Sequence, residues 1–288
     1  MKSILITGSN GFIGKNLIKL LRGKYKIFSL DRKNGDLKIK KKFPKVDIVI
    51  HLAAFNSTKD FYKKPFNVIE DNLIPTLNLL KFYKKQKKKP LFVYTGTPEI
   101  TVGATDYFNY KIPTDEKVPM VISDIKNPRW SYAGSKGIGE QAVIFSGLKY
   151  IIIRPHNIYG PNQKNHFVPE FVQRCKKNKV ILYGWKNTRS WLYIADCCYA
   201  IYKLINCKKA INQIVNVGSN DEIKVIDIAK IILRELGIKK KILKRNAPSG
   251  SAKRRVPDIK KLKKLINWYP KTSIKKGIAE TINAMKLR

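Results

Sequence analysis

Short apolar runs alternate with amphipathic stretches over the first half of the chain. Residues 4–6 form an apolar run typical of a buried parallel strand, and residues 15–21 continue as an amphipathic helix. Further strands are predicted at residues 26–30, 46–50, 90–94 and 150–154, and further helices at residues 70–85 and from residue 130 onwards. Because strands and helices follow one another in this order, the pattern predicts an α/β fold with a doubly wound parallel sheet.

The pattern becomes shorter and more mixed after residue 161. Helices are predicted near residues 169–177, 195–205, 225–236, 259–265 and 274–285, and strands near residues 180–183 and 213–216. This mixture predicts a smaller mixed α/β lobe at the C-terminal side. Residues 101–128 contain prolines at positions 113, 119 and 128 and are expected to form an irregular loop over a site.

Glycines at positions 8, 11 and 14 follow the first predicted strand and open the first predicted helix. Glycines in such a turn let the backbone approach a pyrophosphate, whose charge the N-terminus of the helix stabilises. Their spacing, Gly-x2-Gly-x2-Gly, differs from the Gly-x-Gly-x2-Gly of the general dinucleotide fingerprint. The glycines therefore predict a phosphate-binding turn of an unusual kind.

Asp31 ends the second predicted strand, where a carboxylate can accept both ribose hydroxyls of an adenosine. It therefore favours NAD as the cofactor. Arg32 follows it directly and could instead bind the 2′-phosphate of NADP, so NADP stays open. Asp36 and Leu37 are placed where the edge of an adenine could be read, although a surface turn explains them equally well.

Composition excludes several classes of protein. Of the 288 residues, 43% are hydrophobic, but no apolar run approaches the roughly 20 residues that a membrane span needs. The N-terminus enters a strand without a basic leader or a cleavage site, so we expect no signal peptide and a cytoplasmic location. The four cysteines lack zinc-ligand spacing and the three histidines are scattered, so no metal site is predicted.

The formal net charge of +39 suggests nucleic-acid binding as a hypothesis. Much of the charge comes from lysine-rich runs at residues 38–42, 84–89, 239–241 and 260–264. These runs are spread over the sequence, favour lysine over arginine and are not interleaved with aromatic residues as a stacking platform would be. We therefore expect a solvated basic surface that attracts anionic substrates, and no nucleic-acid partner.

Tyr132 and Lys136 are four residues apart in a predicted helix, so they share one face of it. A lysine in this position lowers the pKa of the phenol and can bind the nicotinamide ribose, which turns the tyrosine into a general base. A surface contact is the simpler interpretation of a Tyr-x3-Lys pair taken alone.

Several motifs, in this order and spacing, resemble the extended short-chain dehydrogenase/reductases that act on nucleotide sugars. They are Thr-Gly-Ser-Asn-Gly-Phe-Ile-Gly at residues 7–14, His-Leu-Ala-Ala at 51–54, Tyr-Ala-Gly-Ser-Lys at 132–136, Arg-Pro-His-Asn-Ile-Tyr-Gly-Pro at 154–161, and residues 188–196, 215–219 and 254–258. The resemblance covers nearly the whole chain. It implies a tightly bound nicotinamide cofactor, a nucleotide-sugar substrate, a homodimer and a place in polysaccharide biosynthesis.

The resemblance also implies a division into two parts. Residues 1–156 would form a Rossmann-type dinucleotide-binding domain, into which residues 190–219 are partly threaded back. Residues 157–189 and 220–288 would form the nucleotide-sugar-binding lobe, with the substrate in the cleft between the two parts.

Individual residues acquire roles by the same resemblance. Tyr132 would be the catalytic base, Lys136 its partner and Thr97 the hydroxyl that bonds the sugar oxygen, with Glu99 beside them. Asn157, Arg189 and one arginine of the pair at 254 and 255, taken as Arg255, would contact the substrate diphosphate. The cofactor would be bound by Gly8, Asn10, Gly11, Phe12, Ile13, Gly14, Asp31, Arg32, Asp36, Leu37, Leu52, Ala53, Ala54, Tyr132, Lys136, Pro155 and His156.

The residues Thr97, Pro98 and Glu99 help to decide which reaction of the family the resemblance implies. In sugar-nucleotide 4,6-dehydratases the corresponding residues look like Thr-Asp-Glu, with the aspartate as the acid for water loss. This chain has Pro98 in place of that aspartate, so the resemblance disfavours dehydration. We predict an NAD-dependent nucleotide-sugar 4-epimerase, an isomerase that oxidises the sugar at C4 and returns the hydride. The alternatives are a UDP-glucuronate decarboxylase, to which Glu99 and residues 128–130 are similar, a 4-keto-sugar reductase and, outside enzymes, a basic nucleic-acid-binding protein on a dehydrogenase fold.

Overall fold

A computed structural model of the chain describes residues 1–39, 42–248 and 251–286, so the lysine run 38–42 and the predicted lobe segment 220–288 lie partly outside the described residues. The strands are β1 (Ser3–Thr7), β2 (Lys26–Leu30), β3 (Ile48–His51), β4 (Leu91–Thr95), β5 (Tyr150–Pro155), β6 (Ile158–Tyr159), β7 (Val180–Tyr183), β8 (Thr188–Arg189), β9 (Leu192–Tyr193), β10 (Gln213–Val217), β11 (Ile223–Lys224), β12 (Ile242–Arg245) and β13 (Arg254–Arg255). The α-helices are α1 (Phe12–Leu21), α2 (Thr58–Lys63), α3 (Pro65–Tyr83), α4 (Val102–Tyr107), α5 (Trp130–Ile144), α6 (Phe167–Cys175), α7 (Ile194–Ile205), α8 (Val225–Glu235), α9 (Lys260–Ile266) and α10 (Ile274–Lys286). Short 3-10 turns lie at Arg32–Asn34, Pro98–Thr101 and Lys208–Ala210.

Six of these strands form one parallel sheet in the spatial order β10-β5-β4-β3-β1-β2. Ile4 and Ile6 face one core, which also contains residues of α1 and α7, whereas Leu5 between them faces a second core with Leu79 of α3. Side chains alternate across a strand, and here both faces of the sheet are covered, which explains the uninterrupted apolar runs. The predicted α/β fold with a doubly wound parallel sheet is confirmed.

The chain returns to the central sheet late in the sequence. β10 pairs in parallel with β5, with Val215 opposite Ile153, and α7 packs against α1. The remaining described strands form three small sheets. One contains β6 and β9, one contains β7 and β12, and the third contains β8 between β11 and β13. The predicted bounds of a cofactor domain and a substrate lobe stay a prediction.

Residues 101–107 are not irregular, so the predicted loop at residues 101–128 is wrong for its first part. A 3-10 turn runs directly into α4, in which Val102 and Ala104 are buried. Gly103 lies against Val121. A Cβ at position 103 would lie only 2.1 Å from the carbonyl oxygen of Val121, so a side chain does not fit there. Tertiary burial therefore stabilises this helix, which is too short to show a period of 3.6 residues in the sequence.

The described surface is basic and shows no metal centre. The lysine-rich runs at residues 84–89 and 239–241 follow the ends of α3 and α8 and are largely exposed. Within the described ranges, no group of three or more His, Cys, Asp and Glu side chains is arranged to hold a metal ion. Cys175, Cys197 and Cys198 are buried free thiols, and Cys207 is a partly buried one.

No helix among the described residues has both the length and the apolar character that crossing a bilayer requires.

Candidate active site

The turn between β1 and α1 brings backbone close to backbone. Gly8 has a positive φ of 67°, and a Cβ there would lie 2.7 Å from the Ala53 nitrogen. A Cβ on Gly14 would lie 2.3 Å from the Gly8 oxygen. Only glycine fits both positions, and the resulting narrow turn leads into α1, whose first N–H groups have no partner within the helix. This turn fits the pyrophosphate of a dinucleotide.

Asp31 extends the same end of the sheet. Its Oδ2 accepts the backbone N–H of Asn10 at 3.0 Å, which ties the carboxylate to the glycine turn. A cavity of about 290 Å³ opens beside it. Of the residues predicted for the cofactor, those lining this cavity are Gly8, Gly11, Asp31, Arg32, Asp36, Leu37, Leu52, Ala53 and Ala54. The cavity therefore fits the adenosine end of the cofactor.

A larger cleft of about 1060 Å³ continues from the glycine turn along α5 to β8 and β13. It brings together the predicted residues Gly8, Asn10, Gly11, Phe12, Ile13, Gly14, Leu52, Ala54, Thr97, Glu99, Tyr132, Lys136, Pro155, Asn157, Arg189 and Arg255. Among the predicted site residues, His156 alone lines neither cavity. It is buried, its Nε2 lies 3.4 Å from Asn216 Oδ1, and burial lowers its pKa to about 3. A contact of His156 with the cofactor stays a prediction.

Tyr132 and Lys136 lie on the buried face of α5. The Tyr132 ring stacks on Phe61 with centroids 4.8 Å apart, and Tyr132 and Thr97 line the same cleft. The Lys136 ammonium lies 4.2 Å from the centroid of the Tyr94 ring, a cation–π contact. Two aromatic platforms therefore fix the side chains that the helical spacing places on one face.

Burial dominates the titration of this pair. It raises the pKa of Tyr132, and the neighbouring Thr97 side chain opposes that rise. Burial also lowers the pKa of Lys136 to about 7, although the charge of Glu140 acts in the opposite direction. Lys136 is thus poised to gain or lose its proton near neutral pH, and its expected effect on the pKa of Tyr132 stays a prediction.

Glu99 lies in the 3-10 turn that Thr97 caps, since its backbone N–H donates to the Thr97 hydroxyl at 3.2 Å. Its carboxylate pairs with Arg129, at 3.3 Å, and with Arg255. Burial raises the pKa of Glu99, but the charges of the two arginines outweigh it and lower the pKa to about 2. Glu99 therefore remains a carboxylate at neutral pH and cannot donate a proton there.

The pairing of β13 with β8 decides which arginine enters the cleft. The register places Arg255 beside Arg189, and Arg255 Nη2 donates to Asn157 Oδ1 at 2.6 Å. Because neighbouring side chains in a strand point to opposite sides, Arg254 turns outward and pairs with Glu222 at 2.8 Å. Burial, together with the charge of Arg255, lowers the pKa of Arg189 to about 9. An anion entering here would relieve that repulsion.

Sequence reasoning assigned no role to four residues at this site. The sequence contains a signal for two of them, Arg129 and Glu140. Arg129 lies three residues before Tyr132 and Glu140 lies four residues after Lys136, so both are at helical spacing from the predicted pair. Phe61 carried none, because its helix α2 was not predicted. Tyr94 was assigned to a strand, and only the fold places its ring under Lys136.

The parallel sheet, the glycine turn after β1 and the Tyr132–Lys136 pair in the cleft define a Rossmann-type enzyme of the short-chain dehydrogenase/reductase class. The sequence model of the NAD dependent epimerase/dehydratase family matches residues 4–218, and the chain belongs to this family.

Relatives within the family differ in the reactions that their names state. The chain is 29% identical to a Methanocaldococcus jannaschii protein named "Putative UDP-glucose 4-epimerase", over 98% of both chains. It is 30% identical to the UDP-N-acetyl-alpha-D-glucosaminuronate decarboxylase of Bacillus cytotoxicus, over 98% of this chain and 97% of the relative. The fold is similar to that of the UDP-glucose 4-epimerase of Thermotoga maritima, with a TM-score of 0.87, 22% identity and coverage of 99% of both chains. The protein is an enzyme of the extended short-chain dehydrogenase/reductase type, and these likenesses leave the reaction open.

Proposed function

We propose that the protein is a nucleotide-sugar 4-epimerase that uses NAD. The observation that carries the proposal is that Thr97 and Tyr132 line the same large cleft, beside a Glu99 that two arginines hold ionised. Bound in the cleft, the cofactor would supply reversible hydride transfer with the sugar carbon. The chain's own residues must hold the sugar and move one proton.

Tyr132 would take the proton of the sugar C4 hydroxyl as its general base and give the proton back when the hydride returns. Thr97 would hydrogen-bond the same sugar oxygen and keep it near the phenol oxygen. The proton and the hydride both return to the sugar, so the net change is the configuration at C4. Lys136 would bind the nicotinamide ribose and favour the ionised form of Tyr132.

Asn157, Arg189 and Arg255 would hold the diphosphate of the substrate. Both arginines line the cleft, and the planar fork of arginine binds phosphate oxygens in pairs. Fixing the diphosphate while the keto-sugar turns over would present either face of C4 to the cofactor.

The state of Glu99 argues against dehydration. Elimination of water across C5 and C6 needs an acid near Thr97, but position 98 is a proline. Glu99, the next carboxyl, has a pKa of about 2 and is already paired with two arginines. The chemistry that the site supports best therefore stops at reversible oxidation of C4.

Decarboxylation of a nucleotide uronate is the second candidate. Arg129 and Arg255 converge on Glu99 beside the catalytic pair, so a sugar carboxylate placed there would share these two cations with Glu99. A 4-keto-uronate formed by the same oxidation loses carbon dioxide readily. The decarboxylase among the relatives favours the same alternative.

Incubation of the full-length protein with UDP- and GDP-sugars separates these functions. We expect the 4-epimer of one nucleotide sugar, identified by NMR, with no net consumption of cofactor. Release of carbon dioxide from UDP-glucuronate would identify a decarboxylase instead, and stoichiometric consumption of added NADH or NADPH a reductase. Absence of any turnover, together with nucleic-acid binding that persists at moderate salt, would contradict the enzymatic proposal.

A homodimer is the assembly that we propose. Exposed apolar side chains occur on the adjacent helices α3 and α5 and directly after α5: Phe66 is 74% exposed, Ile138 50% and Phe145, the residue after α5, 83%. Ile69 and Leu77 on α3 are exposed as well, at helical spacing. Exposed apolar residues on neighbouring helices are typical of a surface that a second subunit covers.

Replacement of Ile138 by lysine is expected to convert the dimer to a monomer, because a charge would be buried in an apolar interface. Light scattering coupled to size-exclusion chromatography measures the mass. Tyr269→Lys, at an exposed aromatic residue beyond α9, is the control and should stay dimeric. A monomeric wild-type protein, or a dimeric Ile138→Lys variant, would refute this interface.

A further inference from the structure

We propose that Asp71 on α3 determines the preference for NAD over NADP by holding Arg32 and Lys38 away from the 2′ position of the adenosine ribose. The inference rests on the proposed cofactor site and concerns the small cavity beside Asp31. Asp71, Arg32 and Lys38 all line that cavity.

Two cations meet on one carboxylate here. Arg32 Nη2 lies 2.6 Å from Asp71 Oδ2, and Lys38 Nζ lies 2.8 Å from Asp71 Oδ1. Lys38 also contacts Glu70 at 3.2 Å. Both cations belong to the segment that follows Asp31, the carboxylate proposed to bind the ribose.

The geometry directs Arg32 towards α3. Its guanidinium lies 5.7 Å from the centroid of the Phe55 ring while it donates to Asp71. The arginine side chain is 68% exposed and that of Asp71 12%, so the anion is fixed in the wall and the cation reaches towards it. Arg32 is therefore engaged with Asp71 and not poised to bind a 2′-phosphate, the alternative role that its sequence position suggested.

A 2′-phosphate entering this cavity would face two separate costs. It would approach the carboxylates of Asp31 and Asp71, which repel it. It could recruit Arg32 or Lys38 only by separating them from Asp71. A 2′-hydroxyl faces neither cost, because it needs only a hydrogen-bond acceptor, which the Asp31 carboxylate supplies.

Neutralising Asp71 should remove the second cost and the part of the repulsion that comes from Asp71, while leaving Asp31 in place as the hydroxyl acceptor. An exposed ion pair is individually weak, so a released Arg32 is free to turn towards a new anion. Lys38 would remain beside Glu70, which limits its contribution. We therefore expect Arg32 to be the main group that binds the added phosphate.

The test compares two single variants of the full chain, stripped of any nucleotide, by calorimetric titration with ADP-ribose and with 2′-phospho-ADP-ribose. Asp71→Asn is expected to bind the phosphorylated probe about tenfold more tightly than the wild type does, and ADP-ribose almost unchanged. Glu70→Gln is the matched control, because it removes the same charge from the neighbouring position of α3 but leaves the Arg32–Asp71 pair intact. Its affinity for 2′-phospho-ADP-ribose should rise clearly less than that of Asp71→Asn. Adding Arg32→Ala to Asp71→Asn should cancel the gain.

Equal gains in Asp71→Asn and Glu70→Gln would overturn the inference, because they would show a general effect of charge. No gain in Asp71→Asn would also overturn it, provided that ADP-ribose binds, and would leave the proposed cofactor site intact. Failure of the wild type to bind either probe would overturn the cofactor site and this inference together. Thermal melting of each variant checks that the fold is retained.

Discussion

Tyr132→Phe is expected to lower kcat at least about a hundredfold, the usual size of a general-base contribution, and to leave cofactor binding intact. The phenol oxygen is the group proposed to take the proton of the sugar hydroxyl. The phenylalanine ring keeps the stacking on Phe61, at 4.8 Å, so the wall of the cleft is preserved. Initial rates with the substrate identified by the turnover screen give kcat and KM, and titration with ADP-ribose reports the cofactor site.

The control for this change is Tyr25→Phe. The Tyr25 hydroxyl donates to Asn206 at 2.8 Å, and neither residue lines the cleft, so turnover should be unaffected. A loss confined to kcat in Tyr132→Phe identifies a role in the chemical step, whereas a loss confined to KM would identify substrate binding. Full turnover in Tyr132→Phe would remove this residue from the mechanism.

Glu140→Gln is expected to lower the free energy of unfolding by about 3–5 kcal/mol, the usual cost of removing one partner of a buried ion pair. Arg154 Nε lies 3.1 Å from Glu140 Oε1 and Nη2 lies 2.7 Å from Oε2, in a two-pronged contact. Both side chains are 5% exposed. The glutamine would leave the guanidinium buried without a counter-charge, which is the source of the cost. Urea unfolding followed by tryptophan fluorescence measures it.

The surface pair Arg254–Glu222 supplies the matched control. It has the same chemistry and a distance of 2.8 Å, but the arginine side chain is 53% exposed. Glu222→Gln should therefore cost about 1 kcal/mol or less. Similar losses in the free energy of unfolding for the two variants would show that burial does not determine how much the Arg154–Glu140 pair stabilises the fold.

Glu140→Gln also bears on the site, because Glu140 raises the pKa of Lys136 against the opposing effect of burial. Without that carboxylate the pKa of Lys136 falls further. The pH range in which Lys136 is charged then moves to more acidic values. Any step of turnover that needs the charged lysine should move in the same direction.

The central sheet could be predicted because its signals are local. The apolar runs at residues 4–6 and 150–154 are continuous, as strands buried on both faces require, and glycines at 8 and 14 follow the first of them. Tyr132 and Lys136 likewise depend only on a spacing of four residues in a helix. All of these features are set within a few residues of the chain.

The small strands and α4 could not be predicted in the same way. β8 and β13 have two residues each, which is too short for an alternating pattern to be recognised. α4 is stabilised by the burial of Val102 and Ala104 and not by amphipathic periodicity. Each of these elements exists because distant parts of the chain meet.

By itself the sequence determined the α/β order, the glycine turn after β1 and the Tyr132–Lys136 face, because local spacing specifies them. Only the tertiary structure decided that Arg255 rather than Arg254 enters the cleft, that Glu99 is held ionised and that Arg32 pairs with Asp71. These three outcomes depend on which charges lie within a few ångströms of one another. The partners are far apart in the chain, so no local pattern encodes them.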